Sequence, residues 1–243
     1  GAETELRLVT AAGGGKDNAI PVESSAQVVA SDEAAARQAA EQMAAALTRE
    51  YAVADPGLRV EVTACEVSET PMDRASTEKA LCMLTCLPNG IQAMSMDIPG
   101  LVQTSLNLGI LATEADSLTA TFCVRSSLGS QKEMLHRRLR ALMAQLGGTV
   151  SISGDYPAWE YRQDSPFRDL MTEIFWEQYG SAPQIEAIHA GVECGILAGK
   201  LPGLDCVSVG PDLLDIHTPR ERMDIASVQR VWRFVLEVLK RSK

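Results

Sequence analysis

Gly210-Pro211-Asp212-Leu213-Leu214-Asp215-Ile216-His217-Thr218-Pro219-Arg220-Glu221-Arg222 stands between an apolar run, Asp205 to Val209, and a helical run that begins at Ala226. The order reads as buried strand, loop and packed helix. Loops at the ends of buried strands are where α/β proteins carry their chemistry. His217 precedes Pro219 on a loop whose backbone is partly fixed. An imidazole there can bind a metal, shuttle a proton or serve only as a polar loop residue. Of the three histidines, His189 and His217 fall in the last third of the chain, each beside a strand-to-helix junction.

Working backwards from that loop, Ser165-Pro166 opens a helix, with Ser as N-cap and Pro at the first position, that closes at Tyr179-Gly180. Gln184 to Ile188 reads as a short strand. His189-Ala190-Gly191-Val192-Glu193-Cys194-Gly195 then leads into a helix ending near Gly199, and Leu204 to Val209 reads as the next strand. The terminal helix, Ala226 to Arg241, turns Val228, Val231, Trp232, Val235, Leu236 and Leu239 inward. This α-β-α-β-α order is the winding of a parallel sheet. Two strands are too few for a doubly wound domain. The piece therefore either packs beside another layer or ends a larger domain whose earlier strands lie elsewhere.

The chain before Gly154 has a different pattern. Glu5 to Thr10 and Ser25 to Ala30 read as an antiparallel strand pair, with Ala11 to Gly15 as a small-residue turn. Ser31 caps an Ala-rich helix to about Tyr51, and Leu58 to Val67 alternates as a strand with one buried face. A second helix runs from Asp73 or Ser76 to Leu87. It places Cys82 and Cys86 on one face, where core packing is the simpler reading than a metal pair without further ligands. Ile91 to Ile98, Gly100 to Gly109 and Leu118 to Ser126 are extended, and Arg125 ends the clearest of these strands. A guanidinium there can be solvated or can clamp a carboxylate with its planar fork. Ser130-Gln131-Lys132-Glu133 is a capping box for a helix that stops at Gly147-Gly148. On that helix His136 reads as solvated. Thr149 to Ser153 reads as a last strand. The whole is an α+β layer, an antiparallel sheet covered by helices on one face.

Composition sets outer bounds. The 243 residues are 46% hydrophobic and 22% charged, with a net charge of −10 and a pI near 4.9. That balance argues against a nucleic-acid surface, which needs clustered Lys and Arg. There is no apolar run of membrane-spanning length and no signal-peptide pattern, and the six cysteines form no CxxC pair, so the expected compartment is the cytoplasm. Gly13-Gly14-Gly15 lacks the spacing of a phosphate loop.

Several stretches, in order, resemble one known family: Gly14-Gly15-Lys16-Asp17-Asn18-Ala19-Ile20-Pro21, Val102-Gln103-Thr104-Ser105-Leu106-Asn107, Arg125-Ser126-Ser127, Tyr156-Pro157-Ala158-Trp159, Ile188 through Gly195, and Gly210-Pro211 through His217-Thr218-Pro219. Together they are similar to the C-terminal half of bacterial aminoacyl-histidine dipeptidases, also called Xaa-His or β-alanyl-histidine dipeptidases. The resemblance implies a di-zinc metallopeptidase, with other divalent metals possible, whose α/β catalytic domain carries an inserted lid that forms a homodimer. It assigns residues 1–154 to the lid, without its first strand and helix, and 155–243 to the C-terminal part of the catalytic domain.

By the same resemblance His217 is a zinc ligand, and Asn18 and Arg125 hold the polarised carbonyl and the substrate carboxylate. Gly191 is a backbone contact to a dipeptide substrate. The family's other zinc ligands and its general base would lie upstream of the first residue. No catalytic residue is therefore expected in this chain, and the isolated chain is expected to be inactive. Asp17 stands where the family often has a basic residue. Two other readings remain: a non-catalytic dimerisation module, and a related amidohydrolase such as a tripeptidase or an N-acyl amino acid deacylase.

Overall fold

In the computed structural model of the chain, residues 4–67, 69–187, 193–216 and 218–242 are described. The elements are β1 (Leu6–Gly13), β2 (Ser24–Ala30), α1 (Glu33–Glu50), α2 (Arg74–Cys86), β3 (Gly90–Met94), β4 (Val102–Thr113), β5 (Leu118–Ser126), α3 (Gly129–Leu146), α4 (Pro166–Tyr179), α5 (Glu193–Lys200), β6 (Leu213–Leu214), β7 (Arg222–Met223) and α6 (Ile225–Arg241). The architecture is an antiparallel sheet with helices, followed by a helical region. By packing, residues 1–90, 106–124 and 137–150 form one unit, and 91–105, 125–136 and 151–243 form another.

The sheet has the order β2-β1-β4-β3, with β5 also paired to β4. β1 and β2 are antiparallel, and their register slips between Leu8 and Thr10. The slip is a bulge at Val9, and it lets the consecutive residues Leu8 and Val9 both be buried, which strict alternation forbids. The Leu8 N–H donates to Thr77 Oγ1 at 3.1 Å, and the Met72 N–H donates to the Leu8 carbonyl at 2.8 Å. Buried Thr77 on α2 thus serves the backbone of β1, and Leu8, Ala11 and Ala80 close the core beside it. β1 runs on to Gly13, through residues expected to form a turn, because Ala11 pairs with Thr113: its N–H and carbonyl both bond Thr113 Oγ1, at 2.8 and 3.0 Å.

The helix caps depart from expectation in small ways. Asp32, not Ser31, caps α1 through its carboxylate to the Ala35 N–H at 3.0 Å. Ser31 is used instead to accept from the Glu5 N–H. α3 begins at Gly129, so Ser130 lies inside the helix and the expected capping box does not form. Cys82 and Cys86 are exposed; α2 buries Thr77, Ala80 and Met83 instead. His136, expected to be solvated, is buried on α3 beside Leu135 and Leu139.

The second unit is organised by α4 and α6. Met171 and Ile174 from α4 pack with Phe234 and Val238 from α6. The Phe175 ring meets Phe234 edge-on, with centroids 5.9 Å apart. Ser165 caps α4 and Pro166 opens it, as the sequence indicates. On α6 the buried residues are Ser227, Phe234 and Val238, while Trp232 and Leu239 are each 63% exposed. The expected inward face is thus only half right.

Four segments that alternate or run apolar do not form ladders among the described residues: 58–67, 149–153, 184–187 and 204–209. A strand exists only where a neighbour supplies hydrogen bonds.

Candidate functional site

Asn18 lies in the first unit, at the tip of a turn that follows β1. The Ala19 N–H closes the turn on the Lys16 carbonyl at 3.4 Å, and the Gly14 N–H donates to the Glu23 carbonyl at 3.2 Å. The Asn18 side chain is exposed, so its carboxamide is available to donate or accept.

Arg125 lies in the second unit, half-buried near the end of β5. The turn after it is fixed by a polar network. Thr104, fully buried on β4, contacts Ser126 Oγ at 2.8 Å and also bonds Gln131 Oε1. The Leu128 N–H donates to Ser126 Oγ at 3.1 Å, and the Ser127 N–H donates to the Gln103 carbonyl at 3.0 Å. A guanidinium leaving a strand fixed in this way starts from a defined base, the arrangement a carboxylate clamp needs. Sequence reading singled out Arg125 but missed the contact of Thr104 with Gln131, because a buried hydroxyl bonded to a distant carboxamide leaves no periodic signal.

Lys132, one turn into α3, reaches the segment that follows 149–153. Its Nζ lies 2.6 Å from Asp155 Oδ1 and bonds the Tyr156 carbonyl. The ammonium holds the Asp155 carboxyl below the usual carboxylate range, with buried His136 adding to the effect.

Asp205, in the 204–209 segment, bonds the start of α4. It accepts from Ser165 Oγ at 2.7 Å and from the Phe167 N–H at 3.0 Å. Burial pushes its carboxyl upward, but these two bonds and the nearby Arg162 and Arg168 outweigh burial and hold it low. The helix N-terminus favours the same ionised form. Burial also pushes the Cys206 thiol up, with Cys194 close by adding to it.

The second unit contains a cavity of roughly 1060 Å³. It is lined by Trp159, Tyr161, Phe175, Val207, Val209 and Phe234 among others, so the segment 204–209 forms one of its walls. It is as large as the upper range of small-molecule sites, and its lining also carries charged side chains, among them Arg162, Arg168, Asp205 and Arg230.

The loop quoted at the outset is a small hairpin. Leu213 pairs with Met223 and Leu214 with Arg222. Its base is fixed by the Asp224 N–H on the Asp212 carbonyl at 3.0 Å and by the Asp212 N–H on Ser227 Oγ at 2.9 Å. Asp215 has a left-handed backbone, φ 54°, and bonds Arg222 at 3.1 Å. His217 and Gly191, and also His189, lie outside the described residues. Among the described residues no three His, Cys, Asp or Glu side chains converge as metal ligands, and no helix is long and apolar enough to cross a membrane.

No protein-family model matches the chain. The cytosol non-specific dipeptidase of Escherichia coli (strain K12) is 30% identical over 240 residues, which are 98% of this chain and 50% of that protein. The crystal structure of aminoacylhistidine dipeptidase from Vibrio alginolyticus matches with a TM-score of 0.84 at 30% identity, over 97% of this chain and 48% of that one. The chain thus resembles dipeptidases over nearly its whole length and spans about half the length of the relatives it matches.

Proposed function

We propose that the chain is part of a zinc-dependent dipeptidase acting on Xaa-His-type dipeptides, with residues 1–154 as lid and 155–243 as the C-terminal part of the catalytic domain. The observation that carries this reading is the backbone match to a dipeptidase at a TM-score of 0.84 over 97% of the chain. Among the described residues no group of ligands makes a zinc site, and His217, which lies outside them, is the one residue this reading assigns to the metal. What the chain's own residues do is bind and orient. Arg125 takes the free carboxylate of the dipeptide in a two-pronged contact. The Asn18 carboxamide donates to the scissile carbonyl oxygen as negative charge grows on it. The Gly191 backbone contacts the substrate. This reading gives none of the described residues the acid–base work, and it expects the chain by itself to be inactive.

The compartment is the cytoplasm, the one in the name of the Escherichia coli relative. A homodimer through the lid is consistent with β2, an edge strand of the sheet whose Val28 and Val29 are 43% and 39% exposed.

The test is a panel of a β-alanyl-histidine dipeptide, its C-terminal amide, a tripeptide and an N-acyl amino acid, given with zinc to the whole protein that carries this chain. Hydrolysis of the free dipeptide alone supports the reading. Arg125→Ala should raise KM for that substrate, and an equal loss on the amide counts against the clamp. Cleavage of the acylated amino acid but not of the dipeptide overturns the dipeptidase assignment.

A further inference from the structure

We propose that Asn107 and the glycine pair Gly14–Gly109 are the positioning device for Asn18. The inference rests on the reading of Asn18 as the partner of the substrate carbonyl. Asn107 is on β4, about ninety positions away in sequence. Its Nδ2 donates to the Ala19 carbonyl at 2.7 Å and to the Asp17 carbonyl at 3.3 Å. Those are the carbonyls on either side of Asn18. A carboxamide NH₂ has two hydrogens, and each has one acceptor here.

The glycines let the turn come this close. A Cβ on Gly109 would lie 2.3 Å from the Asp17 oxygen and 2.5 Å from the Lys16 oxygen. A Cβ on Gly14, whose φ is +71°, would lie 1.9 Å from the Gly109 oxygen. No side chain fits at either place, so the turn lies backbone to backbone on β4. The neighbouring Leu108 N–H is itself held by Asn89 Oδ1 at 2.8 Å, which fixes the strand under the clamp.

A two-point clamp fixes the position of the residue between the points. An oxyanion donor has to be fixed in this way, since a displacement of about 1 Å is enough to cost on the order of a hundredfold in rate. Asn107 touches no substrate in this scheme; it acts through Asn18.

Two readouts test the proposal. In the 243-residue chain, amide hydrogen exchange at Ala19 should speed up about tenfold or more in Asn107→Ala, with Leu8 and Ala11 unchanged. Gly109→Ala should do the same by pushing the turn off β4. Unchanged exchange in both variants overturns the clamp. In the whole active protein, Asn107→Ala should lower kcat about tenfold while KM moves less than about twofold. Asn107→Asp, which turns oxygens toward both carbonyls, should fall with Asn107→Ala. The double variant Asn18→Ala/Asn107→Ala should be no slower than Asn18→Ala alone. Additive losses would show a general structural effect and overturn the positioning role. Asn18→Ala at the wild-type rate would sink the Asn18 assignment itself, and with it the functional half of this inference, whatever the exchange result.

Discussion

Strand β1 and the segment 204–209 are both short apolar runs beside turns, and each touches a core. Around β1 the backbone is taken up on both sides: β2 lies along it in a seven-pair register, β4 meets it at Gly13, and α2 supplies Thr77 where the bulge interrupts the ladder. Around 204–209 the side chains have company but the backbone has no ladder among the described residues. Asp205 bonds the start of α4 and Val207 packs on the α4–α6 core, yet the segment borders a large cavity instead of a neighbouring strand. Apolar sequence and a local anchor thus suffice to bring a segment against a core, and only a backbone partner makes it a strand.

Amide exchange is the sharpest way to break that comparison. The Leu8 N–H, bonded to a buried hydroxyl, should exchange about a thousandfold more slowly than Cys206, Val207 and Ser208 in the isolated chain. Equal protection would mean that 204–209 has a partner in solution, and the contrast between the regions would be lost.

Truncating each core comes next. Ile174 is fully buried between α4 and α6, and Leu106 is 1% exposed on β4. Either residue changed to Ala should cost about 2–5 kcal/mol. All three tryptophans, Trp159, Trp176 and Trp232, belong to the second unit. In a urea melt, Ile174→Ala should therefore move the fluorescence midpoint. Leu106→Ala should move the far-ultraviolet dichroism midpoint and leave the fluorescence behind. Coincident shifts in both variants would show one cooperative structure and not two.

Those two regions were not equally legible in the sequence. Helices α1, α2, α4 and α6 could be read to within a residue or two, because each carries its start signal locally, and Ser165-Pro166 needs nothing distant to act. The pairing of β1 with β2 was legible for the same reason, since the strands are neighbours in sequence. What could not be read is whatever depends on a remote partner. The alternation of Leu58 to Val67 is as clean as that of β5, but it has no ladder among the described residues. His136 looks solvated among Arg137, Arg138 and Arg140, and is buried because α3 turns that edge inward near Asp155. Asn18 could be named only by resemblance, and Arg125, visible at its strand end, received its role from the same resemblance. Asn107 and Thr104, which fix the turns around them, gave no signal, because two polar side chains far apart in sequence do not announce that they meet a backbone.

A smaller effect tests the local anchor. Asp205→Asn keeps the shape but loses the charge that meets Ser165, the Phe167 N–H and the start of α4, and should cost about 1–3 kcal/mol. Its pH dependence has a definite sign. The folded carboxyl is held below its ordinary value of 3.8, so its stabilisation is fully present above that value and is lost as pH falls through the lower, folded one. The urea midpoint of the unaltered chain should drop in that acid range, and that of Asp205→Asn should drop less. Parallel acid slopes would remove Asp205 as the anchor of the segment.

The smallest expected effect bears on the same contrast from the helix side. α6 is apolar on more than one side: Phe234 and Val238 face α4, while Trp232, Leu236 and Leu239, spaced four and three apart, remain 63%, 39% and 63% exposed. A stripe at that spacing is what a helix presents to something it packs against. In the isolated chain it has lost nothing by being changed, so Trp232→Ser should alter stability by less than about 0.5 kcal/mol. The same substitution in the whole protein should cost several times more if the stripe is covered there. A cost already present in the isolated chain would mean that Trp232 is packed, and that the second region is more complete than its unpaired segments suggest.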